Sequence, residues 1–212
     1  MVDRLLRLRA ATVEGISKTH IAQAARAGTL SKRMYGRYLL NVWHYAQHSS
    51  VVIGLAGSRA VQCLPPLADY LFHHAQEEMG HDAWVFEDLI NLGMSEDEIR
   101  ASKPTTHCAA MVGYEYFMAL VANPISIFGW LYVLEAMGDD LGQEIAQHLA
   151  RNPVTAQSIK FVAGHGEADV AHTADLTNMI QSHITGSDLE DVVHAAEVIK
   201  DLYIGLFRDC GT

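Results

Sequence analysis

The stretch Gly164-His165-Gly166-Glu167-Ala168-Asp169-Val170-Ala171-His172 carries three possible metal ligands at positions i, i+4 and i+7. Each residue of an α-helix advances about 100°, so these offsets place His165, Asp169 and His172 on one face. A stripe of imidazole, carboxylate and imidazole suits iron, manganese or zinc and is out of place in an apolar core. Because the chain has 12 histidines, one such stripe can arise by chance. The remaining ligands must therefore come from other helices.

The chain on both sides of this stretch is also helical in pattern. Apolar side chains recur at helical spacing over residues 2–26, and Ser31 and Ser95 are suitable N-caps for later helices. A further helix is expected to begin near Pro65 and to run through Leu92, because proline is tolerated in the first turn. No stretch has the alternating pattern of a strand. The sequence predicts an all-α fold of seven or eight helices, forming a single domain over residues 1–212.

Composition excludes several classes of function. The chain has 212 residues, a net charge of −10 and 50% hydrophobic residues. This acidic balance argues against nucleic-acid binding, which requires a concentrated basic face. No run of 18 apolar residues is present, so no membrane span is expected. Three cysteines are too few and too scattered for a disulfide framework, which makes a cytoplasmic location the expectation.

Two other segments offer ligands of the same kind. Glu78 and His81 form a Glu-x-x-His pair, a spacing that puts both side chains on one helix face. Glu135 lies inside the apolar run Phe128 to Met137, where no basic residue is near in sequence. A buried and unpaired carboxylate is costly, so Glu135 needs a cation, a metal ion or a proton.

Together these candidates are three histidines and three carboxylates from three helices: Glu78, His81, Glu135, His165, Asp169 and His172. The set is large enough for two octahedral ions with open positions, and Glu135, alone on its helix, is the natural bridge. Mixed oxygen and nitrogen ligands without thiolate favour iron or manganese over a structural zinc ion. Two Fe(II) ions per chain, with Mn as an alternative, would be well suited to the reduction of O₂.

The order of these residues resembles the heme-oxygenase-like di-iron oxidases and oxygenases. The matching elements are Glu78-x2-His81, then Glu135, then His165-x3-Asp169-x2-His172. The resemblance implies a heme-oxygenase-like helical bundle, a non-heme di-iron centre, and oxidation of a small organic substrate (an amine, amino acid or fatty acid) by O₂. Some branches place the first carboxylate seven residues before the histidine, where this chain has His74. Glu78, Glu77 and His74 therefore remain alternatives for that first ligand.

Two alternatives share the same fold. Thr19-His20 and the segment Gly138 to Gly142 resemble the proximal and distal elements of heme oxygenases, in which His20 would bind haem opposite the two glycines. A metal-free TenA-like or quinone-cofactor-synthesis (PqqC-like) protein would instead use a pocket of aromatic and carboxylate side chains. In each case the expected partner is a small molecule, and pairing of two copies as a homodimer is possible.

Overall fold

The computed structural model describes residues 2–211, so Met1 and Thr212, the ends of the predicted domain, lie outside the described residues. This part of the chain is helical, without a β-strand. It contains eleven α-helices: α1 Val2–Ser17, α2 His20–Arg26, α3 Lys32–Ala60, α4 Pro65–Glu77, α5 His81–Asn91, α6 Glu96–Ala101, α7 Thr106–Leu120, α8 Ile127–Met137, α9 Gln143–Arg151, α10 Lys160–His183 and α11 Gly186–Cys210. Of these, α2 and α6 have fewer than eight residues. The all-α fold class is confirmed.

The predicted caps begin helices as expected. The Ser31 hydroxyl accepts the backbone N–H of Met34, and Ser95 forms a reciprocal capping box with Glu98. The number of helices is larger than the predicted seven or eight, and two of the divisions fall in helices that were expected to be continuous. Thr19 caps α2 and separates it from α1.

The second division lies within the helix that was expected to continue to Leu92. Helix α4 ends at Glu77 and α5 begins at His81, and Gly80 between them has a φ of +93°. A residue in this left-handed region cannot continue a right-handed helix. The expectation that Glu78 and His81 share the face of one helix is therefore wrong, although their side chains still meet.

Helix α8 occupies the centre of the molecule, and nearly all of its residues are buried. It packs against α10 and α11. Gly129 permits this close packing, because a Cβ at that position would overlap the backbone oxygen of Val192. The burial of α8 holds Glu135 inside the protein and fixes its side chain against α10.

A π-helical segment, Gly138–Gly142, joins α8 to α9. A Cβ on Gly142 would lie 2.6 Å from the Cα of Gly166 in α10, so this contact requires glycine. Arg9 of α1 holds the outer side of the segment through hydrogen bonds to Asp139 and Asp140. π-Helical turns are frequent at functional sites, and this one lies beside the predicted ligands of α10. Among the residues described, no helix combines the length and apolar character needed to cross a membrane.

Candidate metal centre

The structure brings all six predicted ligands together. They come from the α4–α5 junction, from α8 and from α10, and they form two neighbouring groups of ligand atoms: Glu78, His81 and His165 in the first group, and Glu135, Asp169 and His172 in the second. Within each group the ligand atoms lie within 4.8 Å of one another. This separation leaves room for one cation among the atoms of each group.

The first group is centred on Glu78. His81 Nδ1 lies 3.2 Å from Glu78 Oε1, and His165 Nε2 lies 4.0 Å from the same oxygen. His165 Nδ1 lies 3.2 Å from the backbone oxygen of Phe161, and we assign it as the donor of that hydrogen bond. This assignment leaves the lone pair of His165 Nε2 pointing towards Glu78, as in a metal-ligating histidine.

The second group is centred on Glu135. His172 Nδ1 lies 3.2 Å from Glu135 Oε2 and 3.8 Å from Asp169 Oδ1. Glu135 is 6% exposed, as its apolar surroundings in the sequence predicted. Its other oxygen, Oε1, lies 3.1 Å from Nε2 of His74, so each carboxylate oxygen faces one imidazole.

The electrostatics of Glu135 and Asp169 are linked. Burial opposes ionisation of Glu135, but hydrogen bonds from His172 and His74 outweigh it and lower the pKa of this carboxyl group. Burial, and then the negative charge of Glu135, raise the pKa of Asp169. Glu135 is therefore ionised, while Asp169 retains its proton in the absence of a cation. A bound divalent ion would displace the proton of Asp169 and favour the ionised form of both groups.

One buried atom of the centre, the Oδ1 oxygen of Asp169, lacks a hydrogen-bond partner within residues 2–211. Unpaired buried polar atoms are rare in native proteins, and a bound ion is one of the partners that can satisfy them. The donor set of imidazole nitrogens and carboxylate oxygens fits iron or manganese. The residues present thus fit a pair of such ions.

Two further side chains belong to the same cluster. His74 of α4 is 2% exposed, and its Nδ1 lies 3.5 Å from Oε2 of Glu77. The same Glu77 oxygen lies 3.7 Å from Nε2 of His172. In the sequence, His74 and Glu77 stood only as alternatives for the first ligand. Their spacing from His81 was the available signal, and it could not show that they face α10.

A largely apolar cavity opens onto the centre. The residues that border it include four of the candidate ligands, Glu78, Glu135, His165 and Asp169. Its other walls come from α1, α2, α3, α8, α9, α10, α11 and the π-helical segment. They include the aromatic side chains Tyr35, Tyr38, Tyr45, Trp130, Tyr203 and Phe207. A small organic molecule in this cavity would therefore lie directly beside any bound ions.

The haem alternative requires His20 to face the cavity opposite Gly138 and Gly142, and the structure does not place His20 there. His20 is exposed, and its Nδ1 lies 3.0 Å from the backbone oxygen of Gly211. It borders a separate surface depression with Lys18 and Arg208 and not the central cavity. Haem in the central cavity would thus lack this proximal ligand.

Comparison with known proteins supports the fold and an iron-dependent chemistry. The model of a family described as iron-containing redox enzymes matches residues 36–203. No curated protein matches the chain. A protein from Shewanella denitrificans OS217, described as a domain of unknown function with a heme oxygenase-like fold, is similar in structure with a TM-score of 0.86 and 22% identity over 97% of this chain and 89% of that one.

Two other solved structures have the same architecture. A TenA homologue from P. horikoshii OT3 has a TM-score of 0.78 and 16% identity over 100% of this chain and 99% of that one. A CADD-like protein of unknown function from Nostoc punctiforme PCC 73102 has a TM-score of 0.76 and 13% identity over 99% of this chain and 96% of that one. Identities this low show a shared fold alone. The predicted heme-oxygenase-like fold is confirmed.

Proposed function

We propose that this chain, which belongs to the family of iron-containing redox enzymes, is a non-haem di-iron oxidase or oxygenase that uses O₂ to oxidise a small organic substrate. One observation carries the proposal. Two groups of imidazole and carboxylate ligands lie side by side in the helical core, and both border one apolar cavity.

In this proposal each group holds one Fe(II) ion. Glu78, His81 and His165 would hold the first ion, while Asp169 and His172 would hold the second. Glu135 lies close to members of both groups, beside Asp169 and His172 of the second and Glu78 of the first, so it would help to hold both ions. When bound, the pair of Fe(II) ions supplies the electrons for the reduction of O₂.

The protein contributes position and the exclusion of water. The cavity walls are mainly aliphatic and aromatic. A substrate bound there would displace water from the part of the centre that borders the cavity. Three buried tyrosines among these walls are held by the protein itself: the Tyr35 hydroxyl donates to the backbone oxygen of Ser158, and Tyr45 and Tyr203 are hydrogen-bonded to each other. Arg26 also borders the cavity and makes an ion pair with Glu144.

The metal-free alternative has one specific observation in its favour. Several of the similar structures are described as TenA homologues, and an apolar cavity that contains carboxylates would also serve such a protein. It leaves the buried and unpaired Oδ1 oxygen of Asp169 without a role. Metal uptake separates the two functions.

Oxidation of bound iron by O₂ tests the proposal. The metal-free chain is loaded anaerobically with two equivalents of Fe(II) and mixed with oxygenated buffer, and absorbance and O₂ consumption are followed. We expect rapid O₂ uptake by the wild type and by His183→Ala, an exposed control on the same helix. His172→Ala should lose this reaction. A chain that takes up no iron would contradict the proposal and favour the metal-free alternative.

A further inference from the structure

We propose that His74 is a seventh ligand of this centre, that it binds the second ion through Nε2, and that Glu77 orients both His74 and His172. The inference rests on the proposed di-iron function and extends its ligand set. It assigns four histidines and three carboxylates to the two ions, with two imidazoles for each.

His74 and His172 flank the same carboxylate. His74 Nε2 lies 3.1 Å from Glu135 Oε1, and His172 Nδ1 lies 3.2 Å from Glu135 Oε2. His74 is 2% exposed. Its Nε2 therefore points into the buried cluster of carboxylates and not towards solvent. A nitrogen in this position can bind a cation that Glu135 also binds.

Glu77 lies on the outer side of both rings. Its Oε2 is 3.5 Å from His74 Nδ1 and 3.7 Å from His172 Nε2, the two nitrogens that point away from Glu135. In metal sites, the second nitrogen of a ligating imidazole commonly meets a carboxylate, which fixes the tautomer and the ring orientation. One glutamate that faces the outer nitrogens of two imidazoles is the arrangement expected if both rings bind metal.

The four imidazoles form two similar pairs. The rings of His81 and His165 are 4.8 Å apart with an interplanar angle of 79°, and those of His74 and His172 are 5.1 Å apart with an angle of 78°. The first pair adjoins Glu78 in the first group of ligands. The second pair adjoins Glu135. This pairing assigns His74 to the second ion, even though Glu78 also lies near His74.

The break between α4 and α5 explains how one short segment serves both ions. His74 lies in the last turn of α4, while His81 begins α5. Because Gly80 reverses the backbone with a φ of +93°, the two histidines are not held on one helix face. Each can therefore belong to a different pair of imidazoles.

A His74→Gln variant tests the assignment. The Gln amide can still donate a hydrogen bond to Glu135, so a purely structural role would be preserved, but it is a poor ligand for a divalent ion. Mn(II) is titrated into the metal-free chain, and unbound Mn(II) is measured by its electron paramagnetic resonance signal. We expect two bound Mn(II) per chain for the wild type. The variant should bind one, with the second at least about tenfold weaker.

His73→Gln is the matched control. His73 is the neighbouring residue, its side chain is 74% exposed, and it contacts Glu77 from the solvent side, with Nε2 3.3 Å from Oε1. This variant should bind two Mn(II) as the wild type does. Circular dichroism and retention of the first ion show that His74→Gln remains folded.

Three results would overturn the assignment. If His74→Gln binds two Mn(II) with wild-type affinity, His74 is not a ligand and the di-metal centre stands without it. If His74→Gln added to His172→Ala weakens the one remaining ion, His74 serves the first ion. If the wild type itself binds fewer than two ions, this inference and the proposed function both fail.

Discussion

The carboxylate of Asp169 can lie beside Glu135 and His172 because residue 138 is a glycine. A Cβ built on Gly138 would overlap the Asp169 carboxylate. Asp169 is also buried against Glu135, so it has no nearby solvent into which it could move. The absence of a side chain at position 138 therefore decides whether the second group can form.

Replacement of Gly138 by alanine should remove the second ion and leave the first. Alanine would push Asp169 away from Glu135 and His172, while Glu78, His81 and His165 would remain in place. Titration with Mn(II) should show a fall from two bound ions to one.

Gly113→Ala provides the comparison for that variant. Gly113 is exposed within α7, and a Cβ there would meet nothing within 4 Å. Alanine should stabilise the helix by about 0.5–1 kcal/mol without an effect on metal binding. Two ions bound with unchanged affinity by Gly138→Ala would show that Asp169 is not held as described.

At the level of single residues, spacing in the sequence predicted much of the centre. His165, Asp169 and His172 share a helix face because their offsets follow the helical period, and Glu135 was conspicuous as a carboxylate in an apolar run. The positions of His74 and Glu77 could not be predicted in this way. Their roles depend on how α4 packs against α10. The spacing of residues within one helix does not reveal which other helix its face contacts.

The junction of α4 and α5 is the element that positions the first ligands. Glu78 follows the end of α4 and His81 begins α5, and Gly80 between them adopts a left-handed conformation. A Cβ on Gly80 would meet no other atom within 4 Å. Any effect of a side chain there therefore comes from the backbone conformation.

Gly80→Ala should lower the free energy of unfolding by about 1–2 kcal/mol, the typical cost of a left-handed conformation for a residue with a Cβ. It should also weaken the first ion, because relief of the strain would move Glu78 relative to His81. Thermal unfolding and Mn(II) titration measure the two effects.

Gly28→Ala separates these effects. Gly28 has a φ of +68°, and a Cβ there would meet no other atom within 4 Å, as at Gly80. It lies between α2 and α3, away from the ligands. It should lose similar stability and bind metal normally. If both variants bind Mn(II) equally well, the junction at Gly80 does not position the first ligands.

This junction also shows where prediction of the elements from sequence ends. Caps such as Ser31 and Ser95 were predictable because they act locally through hydrogen bonds of their own side chains. The break at Gly80 was not predicted, because apolar residues continue at helical spacing on both sides of it and a glycine inside a helix is tolerated. The left-handed conformation depends on the packing of α4 and α5 against α3 and α10.

On the scale of the whole molecule, the centre places several acidic groups in the core. The pKa of Glu78 is lowered because interactions with His81 and His165 outweigh its burial, so Glu78 and Glu135 are both ionised there. Ions that bind this cluster only in the folded chain must stabilise that state.

We expect Mn(II) at about 100 times its dissociation constant to add about 2.7 kcal/mol for each site filled. For a chain of this length, each kcal/mol corresponds to about 2–4 °C in Tm. A thermal scan with and without Mn(II) measures the shift, and His172→Ala should retain only the part due to the first ion. An unchanged Tm in the wild type would show that no ion binds the folded core.

The fold alone does not define the chemistry. Structures described as TenA homologues share the architecture of this chain, and one fold commonly hosts unrelated functions. The proposed function therefore depends on the side chains that converge at the bottom of the cavity.

The central claim is that these side chains hold two iron ions. Its most direct test is anaerobic titration of the metal-free chain with isotopically enriched Fe(II), followed by Mössbauer spectroscopy before and after exposure to O₂. We predict two Fe(II) per chain and, after O₂, an antiferromagnetically coupled pair of Fe(III) ions. A single isolated iron, or iron that remains unbound in solution, would contradict the claim.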